Sequence, residues 1–511
     1  MSILSTLALG AGMRLGDIMF APAASAAKVV GTQVVGMAGA GLAGYGAFRL
    51  YQNARYKTPF AMYMDKHWCD FGLEWEKKTI GGKKKTRPRY IKEDKITEYL
   101  YRAFFKLPVG MSIQHIEDKI PAIELALNSE VDTFRQDGYC VLEFSTGHLR
   151  YEETYNIKNV LDLPLKADGS PYILPISVGH SKRGFQWIDL ADYPHLLIGG
   201  QTGGGKSVFL RQGLTTLLHY LPPEKLKMNM IDLKGGLEFK LFNETPHVDS
   251  ISKDLYQALH TLCDLEDEME RRFDLLFNAG PEIEKIQTYN ELLEEGLIAD
   301  QEYLEEKALP YILLCIDEFA ELSPEEVNKD DIDQAPPEHA PLLTQLGLYD
   351  PSRAKKGQGV TVKLKDLLST IHSKVSRLLR LARAVGIHVI LATQRPDAKV
   401  LPGQSKQNIP STVAFKVRNK INSQILLDSD SAAVNIPPGV AGRCIFQIGH
   451  LETEVQVPYL STKEARKLLD TLSEDILTYK PEPIALEIPE HYYEEEHDFL
   501  PYIEETQKEV G

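Results

Sequence analysis

The chain has 511 residues, 43% of them apolar and 25% charged, which supplies core material for more than one domain and excludes a disordered or low-complexity protein. The net charge of −15 does not exclude a polyanionic partner, because Ser473–Gly511 alone carries twelve Asp or Glu against two Lys. Five scattered cysteines, with no paired spacing, argue against a zinc site or a disulfide framework and for a reducing compartment.

Residues 1–57 read as a membrane-anchor region. Val29–Phe48 (VVGTQVVGMAGAGLAGYGAF) is uncharged over 20 residues, close to the length a helix needs to cross a bilayer. Thr32, Gly36, Ala40 and Gly44 recur every fourth residue, the small-residue spacing at which membrane helices approach closely. Arg49, Arg55 and Lys57 follow, which favours a cytoplasmic body by the positive-inside bias. A buried Gly/Ala-rich helix or a mobile leader is the alternative reading of the same segment; a cleaved signal peptide is disfavoured because no basic region precedes it and Asp17 interrupts the approach.

Residues 58–175 read as a small α/β adaptor. Glu76–Lys92 (EKKTIGGKKKTRPRYIK) is strongly basic around Gly81-Gly82, as suits a solvated hairpin loop or one that meets lipid headgroups or nucleic-acid phosphates. Ser112–Asn128 places Ile113, Ile116, Ile120, Ile123 and Leu127 at helical intervals, and YCVLEF is a short strand. No chemistry-bearing constellation lies in this region. Residues 176–472 form a larger unit in which short apolar runs (HLLIG, LKMNMIDL, YILLCIDE, HVILATQ, TVAFKVR, GRCIFQI, ETEVQVP) alternate with helical stretches. Such runs suit central strands covered on both faces, so an α/β fold with a mostly parallel central sheet is expected. Residues 473–511 are acidic and proline-punctuated, and read as an extended tail.

Three segments of the larger unit carry chemistry. Gly200-Gln201-Thr202-Gly203-Gly204-Gly205-Lys206-Ser207 follows an apolar run, opens a helical pattern, and fits G-x-x-x-x-G-K-[ST]. Glycines let the backbone curl so that successive N–H groups point at phosphate oxygens. Lys206 is then expected to neutralise the β- and γ-phosphates of ATP, and the Ser207 hydroxyl to ligate Mg2+. In YILLCIDEFAEL a buried strand ends in Asp317-Glu318, where α/β sheets bind ligands. Asp317 is expected to hold the Mg2+ shell and Glu318 to act as general base toward the attacking water. GIHVILATQRP ends in Thr393-Gln394, with Gln394 placed as a γ-phosphate sensor, and the following loop carries Arg395, Lys399 and Lys406. Those three suit contact with a phosphodiester backbone, and equally a solvated basic loop.

These motifs also carry a family resemblance. PHLLIGGQTGGGKS, DLEDEMERRFDLL, ILLCIDEFAEL, ARAVGIHVILATQRP and IPSTVAFKVRNKINSQILLD occur in this order between Ile176 and Tyr459, and resemble the motor domain of the FtsK/SpoIIIE DNA translocases. The resemblance implies a RecA-like P-loop ATPase that assembles as a homo-hexamer and pumps double-stranded DNA. The order of one membrane segment, one adaptor and one motor is similar to the coupling ATPases of Gram-positive conjugative elements, which implies a relaxase and channel proteins as partners. Segregation of a chromosome or plasmid, and protein secretion by a related ATPase, are the alternatives. Ring ATPases complete each site with an arginine of the neighbouring subunit. Arg383 and Arg418 are the candidates, while Thr412 and Gln424 stand where members of the family often carry Arg. Leu322–Val360 lengthens the segment after Glu318 and has no assigned role.

Overall fold

The computed structural model describes residues 56–472, apart from 80–81, 128, 130, 146–148, 151, 159–162, 164, 167, 297–307, 354–358, 399 and 401–405. The expected span at 29–48 and the acidic tail at 473–511 lie outside the described residues. Among the described residues no helix is long and apolar enough to cross a membrane.

The chain after residue 56 first builds an antiparallel sheet. Strands β1 (Trp75–Thr79) and β2 (Gly82–Thr86) form a hairpin whose register sets Lys77 opposite Lys84 and Lys78 opposite Lys83. Strands β3 (Arg89–Lys95), β4 (Leu100–Lys106), β5 (Val131–Gln136) and β6 (Tyr139–Ser145) make a four-stranded sheet in the order β3-β4-β6-β5. One face packs on the helix Pro59–His67, with Phe60 stacked on Phe144 and Trp68 edge-on to Phe105. The single helix expected over 112–128 is two, Gln114–Glu117 and Ile120–Leu127. Pro121 accounts for the break: its missing N–H and its ring are tolerated in a first turn but not inside a helix.

The larger sheet has ten strands, in the order β11-β10-β12-β15-β9-β16-β17-β18-β7-β8. In chain order they are β7 (Pro175–Ser181), β8 (Gly184–Asp189), β9 (His195–Gly199), β10 (Leu226–Ile231), β11 (Val248–Ser252), β12 (Tyr311–Ile316), β15 (Ile387–Thr393), β16 (Ser411–Phe415), β17 (Arg443–Ile448) and β18 (Leu451–Gln456). The run from β11 to β16 is parallel throughout, whereas β16, β17, β18, β7 and β8 pair antiparallel. The parallel half is the core expected from the apolar runs. The antiparallel flank arises because GRCIFQI and ETEVQVP are joined by the two residues Gly449-His450, too short for a crossover.

Both faces of the parallel strands are covered, which explains their unbroken apolarity. Leu196, Ile198, Leu313, Cys315 and Ile390 face the helix Lys206–Tyr220. Leu197, Leu314, Ile316, Val389 and Leu391 face the long helices Leu255–Ala279 and Leu364–Leu381. Arg272 of the MERR segment is a buried clamp: it donates to Glu268 at 2.7 Å and to the Val385 carbonyl at 2.9 Å, tying its helix to the lead-in of β15. Within the 322–360 stretch β13 (Ile332–Ala335) pairs antiparallel with β14 (Val360–Lys363), which begins at its end. Ala335, Leu343, Val360 and Val362 join it to the core, and Tyr256 Oη donates to Asp333 at 2.8 Å.

At the N-terminal end of the parallel strands two imidazoles are buried side by side. His195 Nδ1 accepts from the Val389 N–H at 3.0 Å, and His388 Nδ1 lies 2.8 Å from the Pro194 carbonyl, to which it donates. Burial pushes His195 down to about 3 and His388 to about 4. Both stay neutral in the folded chain at pH values where the unfolded chain protonates them, near 6.5. Their contribution to stability is therefore complete above pH 6.5 and is lost progressively as pH falls toward 4. At pH 5 the loss is about 2 kcal/mol per imidazole. Thermal unfolding of the wild type and of an H195Q/H388Q variant at pH 7.5 and pH 5 checks this: the wild type loses more stability on acidification than the variant.

Candidate nucleotide-binding active site

The parallel register carries three loops to the same edge of the sheet. β9, β12 and β15 are neighbours, so the turns after Gly199, Ile316 and Thr393 open side by side. Gly200 N–H donates to the Thr393 carbonyl at 3.3 Å, and Gln201 N–H to the Lys416 carbonyl at 2.9 Å. The cradle that follows uses glycine for conformation and for room. Gly203 and Gly205 have φ of 80° and 128°, and a Cβ on Gly205 would stand 2.9 Å from Gly442 Cα. The Gly204 carbonyl accepts from Gly442 N–H at 2.8 Å, so the loop before β17 braces the curl from behind.

Lys206 opens the helix Lys206–Tyr220, and its ammonium is buried on Asp317: Nζ donates to Oδ1 and to the Asp317 carbonyl, each at 2.7 Å. Glu318 is held separately. Its carboxylate accepts from Thr393 Oγ1 at 2.8 Å and from the Gln394 N–H at 3.0 Å, while Lys234 Nζ approaches at 3.4 Å. Thr202 Oγ1 donates to Gln394 Oε1 at 2.6 Å, which links the cradle to the end of β15. Thus Gly200–Ser207, Asp317, Glu318 and Gln394 form one hydrogen-bonded cluster. The Ser207 hydroxyl and the buried Asp317 carboxylate are oxygen donors of the kind that suits a hard cation such as Mg2+.

The remaining sequence candidates are more dispersed. Arg418 is exposed just beyond β16, at the cradle end of the sheet. Arg383 precedes β15 at the opposite end and donates to the Asp192 carbonyl at 3.3 Å. The exposed Arg395 follows Gln394, and its N–H donates to Thr393 Oγ1 at 3.0 Å. Lys406 is already engaged, its Nζ 2.7 Å from Asp428 Oδ1. Lys399 lies outside the described residues.

The sequence reading missed the loop after β10. Asp232 is buried and accepts from the Lys234 and Glu238 N–H groups, each at 2.9 Å; Glu238 in turn accepts from Ser207 Oγ at 3.0 Å. The signal was present: LKMNMIDL is one more apolar strand that ends in a carboxylate at the same edge.

Residues 163–349 match the family model described as "FtsK/SpoIIIE family". The chain contains an FtsK/SpoIIIE family domain. The chain is 32% identical over 305 residues to the DNA translocase FtsK of Campylobacter jejuni subsp. jejuni, covering 59% of this chain and 26% of that protein. It is 29% identical over 343 residues to the DNA translocase SpoIIIE of Bacillus subtilis (strain 168), covering 66% of this chain and 37% of that one. It therefore spans about a quarter to two-fifths of the length of these relatives. Among solved structures it is similar to the pCW3 conjugation coupling protein TcpA, with 25% identity, coverage of 75% of this chain and 93% of that one, and a TM-score of 0.48. The cradle and Asp317-Glu318 fall inside the matched FtsK/SpoIIIE residues; Gln394 and Arg395 lie beyond them.

G205A tests the cradle. A Cβ at that φ and that distance from Gly442 costs about 1–3 kcal/mol of local strain. Fluorescent-ADP titration is expected to show roughly tenfold or greater weakening, with far-UV circular dichroism unchanged.

Proposed function

We propose that the protein is a membrane-anchored, ATP-driven translocase of double-stranded DNA that works as a homo-hexamer and serves conjugative transfer. One observation carries the reading: Lys206 on Asp317, and Glu318 fixed by Thr393 and Gln394, meet at one strand edge within an FtsK/SpoIIIE domain. In this reading the cradle N–H groups and Lys206 bind the phosphates of ATP. Ser207 and Asp317 would hold Mg2+, which would supply positive charge against the charge that develops on the phosphates. Glu318 takes the proton of the attacking water, and Thr393 Oγ1 with the Gln394 amide keeps its carboxylate aimed.

Gln394 bonds the cradle through Thr202 and precedes Arg395 directly, so a change at the γ-phosphate has a route of one hydrogen bond and one peptide link to an exposed cation. Arg395 is accordingly the leading phosphodiester contact. Lys406 joins it only by giving up Asp428, and Lys399 completes the set. Arg383 and Arg418 remain the candidates for the finger that enters a neighbour's site. In this reading segment 29–48, uncharged over 20 residues, anchors the chain, and the order of span, adaptor and motor, similar to that of conjugative coupling ATPases, favours transfer over segregation.

The test is ATP turnover by the full chain with duplex DNA, single-stranded DNA or polypeptide added. Duplex DNA is expected to stimulate; stimulation by polypeptide alone would overturn the DNA reading in favour of a secretion motor. E318Q is expected to bind ATP with wild-type affinity and to lose roughly 100-fold or more in turnover.

A further inference from the structure

The loop Asp232–Glu238 forms a wall of the nucleotide site that no motif above includes, and its geometry bears on the metal. A serine hydroxyl has one proton and two lone pairs. To ligate a cation through a lone pair, Ser207 must send its proton elsewhere. Here Ser207 Oγ donates to Glu238 Oε1 at 3.0 Å. A carboxylate that accepts from a ligand's proton fixes the ligand's orientation and raises its basicity, the relation seen repeatedly between metal ligands and their outer partners.

The backbone around Glu238 is held in place, and its exposed side chain reaches Ser207 from there. Its N–H donates to Asp232 Oδ2 at 2.9 Å, while Lys234 N–H takes Oδ1 at 2.9 Å and the Gly236 N–H donates to the Asp232 carbonyl at 3.1 Å. Gly235 and Gly236 turn the chain through φ of 80° and 75°, a left-handed pair that suits glycine. Phe239, 1% exposed, anchors the far end in the core. Asp232 continues β10 directly beside β12, where the Asp317 N–H donates to the Ile231 carbonyl at 3.1 Å. The acid facing Ser207 and the acid that ends β12 are thus set by neighbouring strands.

From this we propose that Glu238 is a positioning residue of the Mg2+ site: by accepting the Ser207 proton it turns the hydroxyl lone pair toward the cation and adds negative charge beside it. The inference rests on the nucleotide reading above. It separates two effects of Glu238 on ligands. Toward the metal the carboxylate is favourable; toward bare phosphate it is an anion near an anion.

The test measures metal and nucleotide apart, on the full chain. Mn2+ serves as the probe, its binding read by electron paramagnetic resonance in the presence of ADP, and ADP affinity is measured separately in EDTA. E238Q is expected to weaken Mn2+ binding about tenfold or more, while ADP affinity in EDTA stays equal to wild type or improves. E238D, which keeps the charge, is expected to recover part of the loss. Wild-type Mn2+ affinity in E238Q overturns the proposal, and so does a parallel loss of both affinities, which marks a merely structural defect. Failure of the wild type to bind ADP at all would instead remove the nucleotide reading itself.

Discussion

The ion pair between Lys206 and Asp317 is the contact on which the site turns. Both side chains are almost fully buried, at 5% and 2% exposure, and an ammonium left there without an anion would be strongly unfavourable. The two ligands expected at the site pull on opposite partners. In the proposed reading, phosphate would compete with Asp317 for the ammonium and Mg2+ with Lys206 for the carboxylate, so that each ligand would free the residue the other needs. The acid that must remain independent, Glu318, is kept off this exchange by Thr393 and Gln394.

Parallel β-topology makes the arrangement cheap to build. β10, β12, β15, β9 and β16 run side by side in one direction, so five loops open on one edge without any long-range threading. Helices on both faces exclude water from the strands, and the polar groups of the cluster stand at their C-terminal ends. The same directionality puts the buried His195 and His388 at the other end, where imidazoles held neutral serve only packing at physiological pH.

What the sequence revealed follows from how local each signal is. The cradle, Asp317-Glu318 and Thr393-Gln394 each declare themselves within a dozen residues, because one apolar strand must end in the polar group that does the work. The parallel half of the sheet was legible for the same reason. Contacts between segments were not: Ser207 with Glu238, Lys234 with Glu318, and Lys406 with Asp428 join residues 31, 84 and 22 positions apart, and no period links them. The break at Pro121 was legible but lost against the isoleucine spacing around it. The ribbon of β13 and β14 hid because its strands have only four residues each, too few for alternation to register.

The cluster explains how a phosphate could be cleaved; the claim beyond it is that cleavage moves a polymer. The path from Glu318 through Gln394 to Arg395 is two contiguous steps, one hydrogen bond and one peptide link, and it gives that claim a physical basis. Displacement of a third strand from a duplex by the full chain measures motion itself. The account predicts displacement that requires ATP and a double-stranded track, and that stops when Glu318 is replaced by Gln. ATP consumption in the presence of duplex without any displacement would contradict it.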